Sequence, residues 1–158
     1  MSDFQVTIPV DSMALQAMFQ RLLDFGEDQS VVMADLAEGW LHRTEARFDT
    51  QRAPDGTPWT ELTEGHKAYK RRKGYPETLL VMEGRLRNEL RSDFGSDFAE
   101  VATAPLPYAG LMQFGGKSWM AAGPAAVPQR EYLGAGPDDL AWMEDTVARH
   151  IARIAAGG

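Results

Sequence analysis

The stretch SVVMADLAEGWLHRTEARF, residues 30–48, decides how the rest of the chain is read. Met33, Ala37, Trp40, Leu41, Thr44 and Phe48 recur at the three- and four-residue spacing of one helical face. Ser30 is a side-chain N-cap, Asp35 comes early, and Arg43 and Arg47 come late, as the helix dipole prefers. Gly39 weakens this helix modestly. Working back toward the N-terminus, Leu15, Met18, Phe19, Leu22 and Leu23 carry the same stripe behind Asp11 and Ser12, up to a stop at Gly26. The two helices make an αα-hairpin. Before them, Phe4, Val6, Ile8 and Val10 alternate with period two, a short strand that Pro9 confines to a sheet edge.

Working forward, the pattern breaks at Asp49. Pro54-Asp55-Gly56 signals a turn. Trp59 and Leu62 pin an otherwise extended loop onto the body. Thr63 caps a very polar helix that ends at Gly74 and Pro76. The apolar run Leu79 to Met82, followed by Leu86 and Leu90, fits a short helix or a strand–helix step, which periodicity does not separate. Asp97 to Thr103 reads as a weak strand, Tyr108 to Phe114 as a short helix or turn, and Ser118 to Ala122 as a strand pairing back. A terminal helix starts at Pro137-Asp138-Asp139, with Leu140, Met143, Val147, Ile151 and Ile154 as its apolar stripe. The expected fold class is α+β: an N-terminal strand, a helical hairpin, a small antiparallel sheet with long loops, and a C-terminal helix, in one domain over residues 1–158.

Composition narrows the function classes. The chain has 158 residues, 23 acids against 16 bases, and a net charge of −7. That opposes a role in coating nucleic acid or an anionic membrane. Cysteine is absent, so there is no disulfide, thiolate metal site or Cys nucleophile. No apolar run reaches the length of a membrane span, and Met1 to Val10 lacks the features of a signal peptide, so a soluble product made in the cytoplasm is expected. Charge is unevenly spread. Residues 1–50 hold nine acids and three bases, whereas residues 51–100 hold nine of each. The central third carries one dense basic run: Lys67, Lys70, Arg71, Arg72 and Lys73.

Four constellations invite a chemical reading. Glu38, His42 and Glu45 lie a turn apart on one helix, but the sequence offers no fourth metal ligand, and a solvated polar face is preferred. Gly115-Gly116-Lys117-Ser118 ends like a phosphate loop, yet Leu111 stands where the first glycine belongs. Asp93, Asp97 and Glu100 are close in sequence, and a polar loop explains them, so a carboxylate hydrolase is set aside. Lys67 to Lys73, interleaved with Tyr69, is first a solvated helix, second a contact with the acidic third of a neighbouring subunit, and third a nucleic-acid grip. No catalytic residue, cofactor or metal is expected.

An ordered set of short motifs goes further. Phe48 ends a helix; Pro54-Asp55-Gly56 with Trp59 and Leu62 follows; then Leu80, Gly84 and Leu86. After these come Tyr108-Ala109 with Gln113-Phe114-Gly115-Gly116, and Val127-Pro128 with Arg130, Tyr132, Leu133 and Gly134. Over residues 30–155 this resembles the phage virion morphogenesis family, the Mu-like G protein and the tail completion S proteins. The chain departs from the family's usual Ser or Thr at Glu83, its His at Met112 and its Pro at Glu131. The resemblance implies a structural, non-enzymatic protein of the virion. It would complete the head-proximal end of the tail, or the neck, so that a filled head joins a tail. A tail terminator or head–tail adaptor is the near alternative, and a small DNA-binding module the distant one. The implied partners are copies of itself in a ring of about six, and other tail-end, neck or connector proteins. Passing contact with DNA is a further possibility, and no membrane is involved. The candidate interface residues are Trp119, Met120, Gln113, Phe114, Arg130 and Tyr132; Lys67, Lys70, Arg71, Arg72 and Lys73 would face the DNA channel or a neighbouring subunit.

Overall fold

The computed structural model describes residues 29–155, together with Met13 and Gly26. The expected N-terminal strand and the first helix of the hairpin lie outside the described residues. Within them the architecture is α+β. Helix α1 (Ser30–Thr50) leads to α2 (Glu64–Lys73) and α3 (Arg85–Asn88). Strands β1 (Leu90–Phe94) and β2 (Ala99–Thr103) follow, then α4 (Ala109–Phe114), α5 (Ala122–Ala125) and α6 (Pro137–Ala155).

Helix α1 buries the predicted stripe, Leu41 only in part, and widens it with Val32, Leu36 and Arg47. Its cap position is Gln29 rather than Ser30, with no side-chain capping bond. It stops because Gln51 turns left-handed (φ 54°) and returns its N–H to the Arg47 carbonyl at 2.7 Å. Gly39 is more than a weak point. A Cβ there would lie 2.2 Å from the Trp142 ring, so the missing side chain lets α6 approach α1.

The Pro54–Gly56 segment is the tight turn that its sequence signals. The Asp55 carboxylate accepts the Thr57 N–H at 2.8 Å, Ala53 N donates to Thr57 O, and Trp59 N to Gln51 O. Trp59 lies beneath it, edge-on to Phe48 at 5.7 Å between ring centres. Thr63 caps α2 by accepting the His66 N–H, and Gly74 closes the helix with φ 74°.

Leu79 to Met82 forms neither strand nor helix. Its backbone is satisfied by side chains instead: Lys70 Nζ donates to Thr78 O and Val81 O, both at 2.7 Å, and Gln51 Oε1 accepts the Leu79 N–H. A helix (α3) and then a strand (β1) follow it. The sheet is an antiparallel pair, with Leu90 opposite Thr103 and Phe94 opposite Ala99. The strand expected at Ser118–Ala122 is overturned. Met120 N bonds Lys117 O and Ala125 N bonds Ala121 O, so this stretch curls into turns.

Among the described residues one apolar cluster joins α1, the sheet, the segment around Tyr132 and α6. Its members include Trp40, Phe48, Trp59, Leu86, Leu90, Val101, Tyr132, Met143 and Val147. Each such side chain contributes about 1.5–3 kcal/mol through burial. The acids expected to open α6 do so: Asp139 accepts the Gly136 N–H at 2.9 Å, and α6 packs Met143 and Val147 into the cluster.

Candidate assembly surface

The candidate interface residues divide sharply. Gln113, Arg130 and Tyr132 are buried, at 1%, 6% and 0% exposure, so the expectation that they meet a neighbour is corrected. They tie the chain to itself. Gln113 Oε1 accepts the N–H groups of Tyr132 and Leu133 at 3.0 Å each, and its Nε2 donates to Leu133 O at 3.0 Å. One amide thus completes the hydrogen bonding of a core segment that has no strand partner. Arg130 reaches back to Thr60 O at 2.8 Å and Glu61 O at 3.3 Å, and burial lowers its affinity for its proton. The Tyr132 hydroxyl donates to Ala109 O, and burial pushes its pKa up. Hydrogen-bonding capacity at conformationally irregular segments gives such residues an interface-like look in sequence; their internal use was the missed alternative.

These ties make a rigid base for the loop that follows α4. Gly116 N donates to Val127 O and Arg130 N to Met112 O, which clamps the two ends of the loop together. The clamp needs glycine. A Cβ on Gly116 would sit 2.0 Å from Pro124 O, and Gly115 adopts φ 72° against the Gln129 backbone. From this base Trp119 projects, 79% exposed, with Phe114 half-exposed nearby in sequence. Met120 is partly buried, and its sulfur takes the Lys117 N–H. Lys117 Nζ caps the Phe114 carbonyl at 3.2 Å, so the Gly-Lys-Ser stretch is spent on the loop's own shape. An indole exposed on a loop clamped at its base would need little further ordering to meet a partner.

The basic run is also divided. Lys70 is 2% exposed and holds two carbonyls, so it faces neither a channel nor a subunit, which corrects its assignment. Burial, with the nearby Arg130 charge, lowers its pKa. Lys67 pairs with Glu64 and lies 3.6 Å from Glu61; Arg71 pairs with Glu77. Arg72 lies over the Tyr69 ring at 5.9 Å. Arg72 and Lys73 remain the most available charges on α2. Acidic side chains are exposed elsewhere, at Asp35 and Glu38 on α1 and at Asp138 and Asp145 on α6.

The remaining candidates resolve as follows. Among the described residues no group of three or more His, Asp or Glu side chains gathers as a metal site requires, so Glu38, His42 and Glu45 do not form one. Arg91, Asp93 and Glu100 line a shallow cleft on the outer face of the sheet. His150 lies buried with Nε2 2.6 Å from Asp35 Oδ2, linking the end of α6 to the start of α1. No helix among the described residues is long and apolar enough to cross a membrane.

With this geometry in hand, known proteins give it a setting. The chain matches the phage virion morphogenesis family over residues 10–152. It is 30% identical over 149 residues to a protein named putative capsid assembly protein G from Escherichia phage Mu, covering 93% of this chain and 94% of that protein. It is 25% identical over 146 residues to Mu-like prophage FluMu G protein 1 of Haemophilus influenzae, covering 91% and 93%. No solved structure matches the chain.

Proposed function

The chain belongs to the phage virion morphogenesis family, and on that premise we propose that it completes the head-proximal end of the tail, or the neck, so that a filled head can join. A structural role in building a phage particle follows from the family itself. The finer placement rests on one observation, the exposed Trp119 on a loop clamped at Gly116 and Val127. A subunit that closes a ring needs an anchor on one face and a receiving surface on another, repeated head to tail around the axis. Trp119 with Phe114 is the anchor in this reading. The acidic flanks of α1 and α6 and the exposed Arg72 and Lys73 lend the subunit the opposite charges that fix register between copies. No reaction is assigned to the chain. The DNA-binding alternative loses support from the burial of Lys70 and the pairing of Lys67 and Arg71, which leave little free positive charge in the run.

The experiment is complementation of a phage that lacks this chain, scored by electron microscopy of lysates. Filled heads and separate tails should accumulate, and the wild-type chain should restore joined particles where Trp119→Ala does not. Finished particles without the chain, or an arrest before heads fill, would overturn the placement.

A further inference from the structure

Leu80 holds a backbone conformation that a leucine rarely adopts. Its φ is 56°, in the left-handed region where a Cβ crowds the following carbonyl. Among the described residues one other non-glycine shares that region, Gln51 at φ 54°. The two positions meet at one contact, where Gln51 Oε1 accepts the Leu79 N–H at 3.2 Å. Gln51 has a reason for its conformation, since it stops α1. Leu80 stops no helix. Lys70 imposes its shape by gripping the carbonyls of Thr78 and Val81 on either side of it. Strain of this kind persists only where the surroundings over-determine it, and it gathers at elements that switch. Here the surroundings, residues 63–83, are braced against themselves. Lys67 pairs with Glu64, Arg71 with Glu77, and both Lys70 bonds stay within the segment. The buried Leu79, with the half-buried Leu80 and Val81, seats it in the core. The chain is fixed at both ends of the segment: Arg130 holds Thr60 O and Glu61 O before it, and Leu86 is buried after it.

We propose that residues 63–83 are a hinged arm that undocks from the body as one unit at the Gln51–Leu79 contact, with Leu80 as its spring. In the docked arm Lys70 is buried, and its bonds to Thr78 O and Val81 O are shielded from water. In the undocked arm Lys70 is hydrated, water competes for both carbonyls, and Leu80 returns to an ordinary negative φ. Relief of the strain favours opening by about five- to thirtyfold, which offsets part of the cost of exposing Leu79. Opening uncovers the apolar Leu79–Val81 strip and frees the charged helix α2 to swing. A component of the particle that holds only the open arm would shift the balance toward it. The inference needs nothing from Trp119 or from ring closure.

The test is amide hydrogen exchange, read residue by residue in the full chain, with each variant's fold checked by circular dichroism. A helix of 10 residues is marginal alone, so the α2 amides at 68–73 report docking. In the wild type these amides and that of Leu79 should share one protection factor, at least about tenfold below that of Trp40 in α1. Leu80→Gly and Leu80→Ala lose the same side-chain packing, but glycine accepts a positive φ freely and alanine does not. Both regions should therefore exchange at least about threefold more slowly in Leu80→Gly than in Leu80→Ala, the reverse of the order at an ordinary position. Gln51→Asn tolerates the left-handed cap yet withdraws the acceptor. It should quicken α2 and Leu79 together by about threefold or more, while Trp40 keeps its rate. A glycine–alanine difference confined to residues 79–82, a matching change at Trp40, or alanine exchanging no faster than glycine would overturn the arm. So would a Gln51→Asn chain whose α2 amides keep the wild-type rate.

Discussion

Arg47 of α1 and Asp139 of α6 meet in a buried ion pair, Nη2 2.5 Å from Oδ2, with 7% of each side chain exposed. Arg47 also donates from Nη1 to Tyr132 O at 2.7 Å, and Asp139 accepts from Arg43 Nε at 2.7 Å and from Gly136 N. The pair thus joins the two long helices to the segment that carries Tyr132. Burial first, and the nearby Arg43 charge, lower the pKa of Arg47, while the Asp139 charge and hydrogen bond oppose them. Asp139→Ala leaves a guanidinium desolvated without its counter-charge. Chemical denaturation should show a loss of about 3–5 kcal/mol. A change below about 1 kcal/mol would mean that water reaches Arg47.

Trp59 carries the turn that precedes α2. Its ring packs edge-on against Phe48, and its Nε1 donates to Glu131 O at 2.7 Å. Trp59→Ala should lower stability by about 3–5 kcal/mol. Trp59→Phe keeps most of the packing and loses only the hydrogen bond, so it should cost less than half as much in the same denaturation series.

The basic run should split by burial rather than by charge. Lys70→Ala frees the carbonyls of Thr78 and Val81 and should cost about 2 kcal/mol. Lys73→Ala, on the exposed end of α2, should stay within about 0.5 kcal/mol. Equal effects at both positions would contradict the tie between Lys70 and the 78–82 turn.

Glu131 gives a pH-dependent prediction. Burial first, and the nearby Asp55 charge second, raise its pKa above the ordinary 4.5, with Arg47 opposing. A carboxyl whose folded pKa is raised costs no stability below its unfolded pKa, where it is protonated in both states. The cost appears as pH rises through the unfolded and then the folded value. Glu131→Gln should therefore be at least as stable as the wild type at pH 7, with the gain shrinking toward pH 4. A gain that grows as the pH falls would reverse the sign and remove the explanation.

The helices were legible because their signal is local. The α1 stripe, the Thr63 cap, the Gly74 stop and the acids opening α6 all lie within a few residues of what they control. The strand expected at Ser118–Ala122 failed because short apolar runs read alike in turns and strands, and only the Gly116–Val127 clamp tells them apart. Trp119, expected at an interface, is exposed. The inward use of Gln113, Arg130, Tyr132 and Lys70 was not, since long polar side chains announce their chemistry in sequence but not their direction. The Asp35–His150 contact spans 115 positions and left no local trace.

The proposed function requires this chain to close into a ring at the end of a tail through Trp119. The measurement that tests it most directly is the mass of the purified chain, alone and mixed with tails from a phage lacking it, for the wild type and Trp119→Ala. The account predicts a closed species of about six copies for the wild type, free or on one tail end, and a folded monomer for Trp119→Ala. A wild-type chain that stays monomeric in both settings, or a Trp119→Ala chain that assembles as the wild type does, would contradict it.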